Sequence, residues 1–288
     1  MSDESDRDRP ERDVPRRKRS HVLTVAIVAF AAGTGFGAVI WYGFHTPNST
    51  VAPSSGYPIG VVDKAEASAM GPPGNVLRGY TLSYQTQFPG SSLPRGWYDF
   101  TGVPGGDPGG QFAASHVIVS GGVLQLVAYE DPAYHDEWVT GGLCQCGLAH
   151  TYGAFFVRSR MVGEGPNDAE LLWPKANIWP PEIDFNETGG SLSGTSSTVH
   201  YGVTNNIDQR HLNINMKKWH TWGVVWTPTS IAYIVDGRVW SRILAVSEIP
   251  NQPMTLDFEQ RALCSLGREC PSAPASMQIN WVAEYSPS

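Results

Sequence analysis

Basic residues are scarce once the first twenty positions are set aside. Seven of the 20 lysines and arginines lie before His21, beside six of the 27 acidic residues, which leaves 13 basic against 21 acidic over the rest of the chain. A nucleic-acid-binding domain carries a basic patch or stripe; none is present here, and nucleic acid is excluded as a partner. Long amphipathic helical patterns are missing after Tyr80, which excludes a helical bundle. Cysteine is sparse too. The four, Cys144, Cys146, Cys264 and Cys270, follow a CxC and a Cx5C spacing that does not match the usual zinc sites. No cofactor is expected, and a structural calcium ion is left open.

What the chain does have is aromatic and strand-like. Ten Trp and eleven Tyr favour a ligand with apolar faces, such as a glycan. Short runs separated by Gly, Pro, Asn or Asp argue for an all-β sandwich. Val117-Ile118-Val119, then Ser120-Gly121-Gly122, then Val123 to Tyr129 reads as a hairpin. So do Ile231–Val235 and Val239–Ile243 around the turn signal Asp236-Gly237. Tyr152–Met161 alternates, with Phe155, Val157 and Met161 on one face and Ala154, Phe156, Arg158 and Arg160 on the other. In Thr255–Arg261, Leu256 and Phe258 point inward and Thr255, Asp257, Glu259 and Arg261 outward.

The ends are different in kind. Residues 1–20 are too hydrophilic to fold alone and read as a disordered cytoplasmic tail. Val22–Phe44 is a run of 23 residues without a charge. At about 1.5 Å per helical residue it can cross a hydrocarbon layer of roughly 30 Å. The basic cluster Arg16-Arg17-Lys18-Arg19 places its N-terminal flank in the cytoplasm. Residues 21–44 are therefore expected to be a transmembrane signal anchor, rather than a cleaved signal peptide, with the rest of the chain outside the cell membrane. Residues 45–75, rich in Pro, Ser, Gly and Ala, read as a linker, and 76–288 as the exported domain. In an exported domain the four cysteines suggest disulfides, with three possible connectivities. If Leu143–Gly147 is a strand, Cys144 and Cys146 face the same way, which predicts two bridges to the Cys264 and Cys270 segment.

The most informative stretch is Trp179-Pro180-Pro181-Glu182-Ile183-Asp184-Phe185-Asn186-Glu187. As a strand it points Glu182 and Asp184 to one face and Ile183 and Phe185 to the core. Glu187 has the wrong parity, which a single bulge at Phe185 or Asn186 corrects. Three acids on one face repel, so at least one pKa should rise, as a general acid near neutral pH requires. Trp173 and Trp179 stand just upstream, and aromatic faces beside paired carboxylates suit a sugar ring.

Glu-Ile-Asp-Phe-Asn-Glu resembles the catalytic motif of glycoside hydrolase family 16, in the bulged form of laminarinase-like endo-β-1,3-glucanases. Tyr152–Arg158, Trp219–Trp222 and Asn280-Trp281-Val282 resemble other strands of that family, so that the likeness covers about residues 76–286. Two departures stand out: the family usually has Glu at the position of Phe156, and Gly at that of Pro181. The resemblance implies a jelly roll of two curved antiparallel sheets, with a polysaccharide lying across the concave one. It implies a retaining endo-glycosidase acting on a β-glucan (β-1,3 or β-1,3/1,4) or a related wall polymer. Glu182 would be the nucleophile, Glu187 the acid/base, and Asp184 the residue that tunes them. Trp173 and Trp179 would form sugar platforms and Arg158 would hold hydroxyls. Phe156 shares the face of Arg158 and is expected in the cleft; His200 is within reach of it, and strand parity places Glu259 there. A transglycosylase using the same residues, and a carbohydrate-binding module without catalysis, are the alternatives.

Overall fold

The computed structural model describes residues 56–264 and 270–288. The anchor expected over residues 21–44 and the tail before it lie outside these. Among the described residues, no helix is long and apolar enough to cross a membrane.

The strands in the first half are β1 (Val61–Val62), β2 (Met70–Gly71), β3 (Tyr80–Thr86), β4 (Tyr98–Asp99), β5 (Val117–Ser120), β6 (Val123–Asp131), β7 (Glu137–Val139), β8 (Gly142–Cys144) and β9 (Gly153–Val162). In the second half are β10 (Asn167–Pro174), β11 (Glu182–Glu187), β12 (Gly194–Tyr201), β13 (Asn206–Asn213), β14 (His220–Thr227), β15 (Ser230–Val235), β16 (Arg238–Ile243), β17 (Met254–Arg261) and β18 (Ala275–Pro287). Apart from the small β1–β2 pair they form two antiparallel sheets in a jelly-roll sandwich. One sheet runs β13-β12-β11-β10-β17-β8-β4; the other runs β16-β15-β14-β9-β18-β6-β5, with β3 and β7 alongside. Both hairpins expected from sequence form. Their two-residue turns need positive φ, supplied by Gly121 and Gly122 in one and by Asp236 and Gly237 in the other.

The core lies between the sheets. Ile183, Phe185, Val199, Leu256 and Phe258 from the first sheet meet Phe155, Val157, Trp222, Val224, Trp226 and Met277 from the second. The interior also carries a polar layer. β10 turns Asp168 and Glu170 inward, because Asp168 pairs with Gln260 and Glu170 with Phe258 in register. Gln260 Nε2 donates to Asp168 Oδ1 at 2.8 Å, and Ser159 Oγ donates to Glu170 Oε1. Burial raises the Asp168 carboxyl to about 7 and the Glu170 carboxyl to about 8.

Three expectations are corrected. First, Phe156 and Arg158 do share a face, but β9 belongs to the second sheet, and that face is the sheet's outer surface. There Phe156 is fully buried with Ala154, Ile234, Trp281 and Tyr285, capped by Leu77, Tyr57 and Tyr80. Gly223 opposite it makes the room: a Cβ there would lie 2.5 Å from the Phe156 ring. Arg158 is buried beside it, with Nη1 donating to Thr221 Oγ1 at 3.2 Å and lying 3.7 Å from Asp236 Oδ1. Second, the stretch from Tyr57 to Asn75 is not linker. It covers the apolar outer face, with Thr221 Oγ1 donating to the Ile59 carbonyl at 2.8 Å, Ser68 Oγ to Asn280 Oδ1 at 2.6 Å and Trp281 Nε1 to the Met70 carbonyl at 3.0 Å. Third, the disulfides are local, Cys144–Cys146 and Cys264–Cys270. β8 ends at Cys144 and the chain turns, bringing the Cys144 and Cys146 Cα atoms to 5.1 Å; an extended pair would be about 6.5–7 Å apart and facing alike.

Phe156→Ala should lower the free energy of unfolding by about 3–5 kcal/mol, as deletion of a fully buried ring does. Denaturant unfolding measures this; a variant as stable as the parent would place Phe156 outside the core.

Candidate active site

The site is built on the outer face of the first sheet, and the bulge in β11 makes it. Against β10, Asp184 pairs with Leu171 and Asn186 with Glu170, so Phe185 has no opposite number. Against β12 the register likewise breaks between Asp184 and Glu187. Ile183 and Phe185 stay in the core, while Glu182, Asp184 and Glu187 emerge on the outer face. Each carboxyl is held by a neighbour. Trp179 Nε1 donates to Glu182 Oε2 at 2.7 Å, and Asn167 Nδ2 donates to Glu187 Oε1 at 2.8 Å. His200, directly across from Glu182 on β12, places Nε2 3.3 Å from Asp184 Oδ2. Its Nδ1 lies 2.8 Å from Asn205 Oδ1, which orients the ring.

Burial governs the electrostatics. It pushes the carboxyls of Glu182 and Asp184 well above the usual range; the Asp184 charge adds to the rise for Glu182, and the Glu187 charge to that for Asp184. For Glu182, His200 and the Trp179 hydrogen bond act against it. The two carboxyls are close enough for the ionisation of each to depend on that of the other. Glu182, Asp184 and His200 present ligand-capable atoms within 4.8 Å of one another.

Around the acids, Trp179 is 42% exposed with its ring 5.6 Å from that of His200. Trp173 is half-buried, pairs with Thr255, and donates from Nε1 to Asn177 Oδ1 at 2.8 Å. Glu259 lies two strands from Glu187, its carboxyl 3.4 Å from Arg261 Nε. Burial raises the Glu259 pKa, with Arg261 opposing. Asp257 shares this face and accepts from Thr255 Oγ1 at 2.8 Å. The structure thus gathers Glu182, Asp184, Glu187, Trp173, Trp179, His200 and Glu259 on one sheet face, and leaves Phe156 and Arg158 on the other side of the sandwich. Asn167 was not singled out from sequence. It sits twenty residues before Glu187, and only the pairing of β10 with β11 brings them together.

Residues 111–283 match the family model described as Glycosyl hydrolases family 16. The chain belongs to this family. Among curated relatives, endo-1,3-1,4-beta-glycanase ExsH of Rhizobium meliloti is 28% identical over 145 residues, covering 48% of this chain and 31% of ExsH. The chain therefore spans about a third of that relative's length. A beta-glucanase of Rhodothermus marinus is 29% identical over 199 residues, covering 61% of this chain and 68% of the relative. Two solved structures share the fold of this chain. The laminarinase from Rhodothermus marinus superposes with a TM-score of 0.64 at 21% identity, over 72% of this chain and 97% of that one. The endo-beta-1,3-glucanase from Pyrococcus furiosus gives 0.61 at 19% identity, over 72% and 94%.

The buried acids have a cost in stability that depends on pH. Burial raises the folded-state pKa of Asp257, and Glu259 and Glu182 add to the rise. Its unfolded-state value is about 3.9. Below that value both states are protonated and nothing is lost; as pH climbs through the raised folded value, the folded state loses stability. Asp257→Asn should therefore match the parent at pH 4 and be more stable at pH 8. Unfolding curves at both pH values measure this; an equal difference at both would mean that Asp257 ionises in the folded state as it does unfolded.

Proposed function

We propose that this family 16 domain is a retaining endo-glycosidase that cleaves internal β-glycosidic bonds of a β-glucan or a related wall polysaccharide. The observation that carries the reading is the β11 bulge, which sets Glu182, Asp184 and Glu187 on one face beside two tryptophans. Relatives named as a β-glucanase and an endo-1,3-1,4-β-glycanase support the substrate class. Retaining enzymes hold two carboxyl groups about 5–5.5 Å apart, one nucleophile and one acid/base. Glu182 attacks the anomeric carbon through the oxygen not engaged by Trp179. Attack requires Glu182 in its ionised form, which the Trp179 hydrogen bond and His200 favour. Glu187 protonates the departing glycosidic oxygen as the bond breaks. In the second step Glu187 takes a proton from water, and water displaces Glu182, giving net retention. Asn167 fixes the Glu187 carboxyl, and Trp173 and Trp179 offer faces to the sugar rings. The apolar run over residues 21–44 supports attachment to the cell membrane with the domain outside.

Glu182→Gly and Glu187→Ala, assayed with an activated β-aryl glycoside and azide, separate the roles. Azide should rescue the first to an α-glycosyl azide, entering from the face that the nucleophile vacated. It should rescue the second to a β-glycosyl azide by intercepting the glycosyl-enzyme. Without azide, loss of the acid/base should cost roughly 10²–10⁴-fold on unactivated glucan. NMR of the parent reaction showing the inverted anomer as first product would overturn the assignment.

A further inference from the structure

Behind the catalytic bulge, on the face of β11 turned into the sandwich, lies a chain of polar side chains that the chemistry above does not use. Asn186 is the residue that the bulge forces inward, and it is fully buried. Thr195 Oγ1 on β12 donates to Asn186 Oδ1 at 2.7 Å and accepts the backbone N–H of Glu187 at 2.9 Å. Glu170 on β10 stands directly opposite Asn186 in the register and is also fully buried. The Asn186 amide is near enough to oppose the rise in the Glu170 pKa, although Glu170 Oε2 and Asn186 Nδ2 make no well-aligned hydrogen bond. Glu170 Oε1 accepts from Ser159 Oγ, on β9 of the opposite sheet. The chain of groups therefore runs from the second sheet, through Glu170, Asn186 and Thr195, to the backbone of Glu187.

Resting on the reading of Glu187 as the acid/base, we propose that Glu170 is a positioning residue: through Asn186 and Thr195 it locks the bulge and thereby fixes where Glu187 stands. A bulge interrupts the ladder and leaves an extra residue unpaired. Slipping the strand by one residue would turn Glu187 inward and Asn186 out. An apolar residue at 186 would fill the interior without direction. An amide there needs both polar atoms met, since a buried unmatched amide is costly; Thr195 meets Oδ1, and Nδ2 has only Glu170 Oε2 opposite it in the register, each lacking any other hydrogen-bond partner. Glu170 can meet it because a carboxylic acid both donates and accepts. Burial, to which the nearby Asp168 charge adds, keeps Glu170 in that neutral form around pH 7.

The test compares Glu170→Leu, Glu170→Gln and Thr195→Val in the full-length protein. Two quantities are read: kcat and KM on a β-glucan, and amide hydrogen exchange at Glu187, with Val199 on the neighbouring strand as reference. Glu170→Leu should lower kcat roughly 10–100-fold, the range expected for a misplaced catalytic group, with KM changed less than threefold. Exchange at Glu187 should speed up at least tenfold while that at Val199 holds. Glu170→Gln, which keeps both a donor and an acceptor, should stay within threefold of the parent in both. Thr195→Val cuts the same chain at its other end with little change in volume and should reproduce the Glu170→Leu pattern; Glu170→Met takes the place of Glu170→Leu if that variant does not fold. Normal kcat and normal Glu187 exchange in the Leu or Val variant would overturn the proposal. So would equal acceleration at Glu187 and Val199, which marks general loosening, or a Gln variant as impaired as Leu. If the parent cleaves no β-glucan, the glycosidase reading fails separately, and the exchange data alone decide whether Glu170 holds the bulge.

Discussion

The bulge in β11 is the constraint on which the rest of the site depends. With regular pairing, Glu187 would face the core while Glu182 and Asp184 lay on the outer face. One unpaired residue, Phe185, reverses that without moving Ile183 or Phe185 from the interior. The strand then meets two demands that a regular strand cannot: an unbroken apolar face and three acids on the other side. Its neighbours are matched to this shape. β12 breaks register at the same place, and Thr195 takes the backbone N–H that Glu187 would otherwise leave exposed.

Burying acids is the second condition, and it works against folding. Glu182, Asp184, Asp257 and Glu259 are packed on one sheet face, and burial raises the pKa of each. A fold optimised for stability alone would replace some of them by amides or apolar groups. What keeps the arrangement tolerable is local compensation. The Trp179 indole serves Glu182, the Thr255 hydroxyl Asp257 and the Arg261 guanidinium Glu259.

Sequence reading succeeded where the information is local. The hairpins at Gly121-Gly122 and Asp236-Gly237 carry their own turn chemistry, and the parity of the three acids demanded a bulge at Phe185 or Asn186. It failed where the answer depends on distant pairing. Alternation in β9 correctly grouped Phe156 with Arg158, but parity within a strand does not say which sheet the strand joins. β10 shows no strand pattern in the sequence because its inward face carries Asp168 and Glu170, where apolar residues are expected. β13 was missed for a different reason: as an edge strand with mostly exposed residues it has no buried face to impose alternation. The cysteine pairing depended on a strand running to Gly147, and that strand stops at Cys144.

The two outer faces of the sandwich are treated in opposite ways. The outer face of the second sheet is apolar: Ala154, Phe156, Ala232, Ile234, Trp281 and Tyr285 line it. Such a face cannot be left in water, and the segment before β3 lies across it, tied down by main-chain acceptors at Ile59, Met70 and Gly74. The outer face of the first sheet is lined instead by carboxyls, hydroxyls and half-exposed indoles. It has no comparable need of a cover. An extended polar chain with flat, weakly apolar rings suits such a surface, since its hydroxyls can meet the carboxyls and its ring faces the tryptophans. The segment that closes one side of the sandwich thus leaves the acid-lined face as the one open to a ligand.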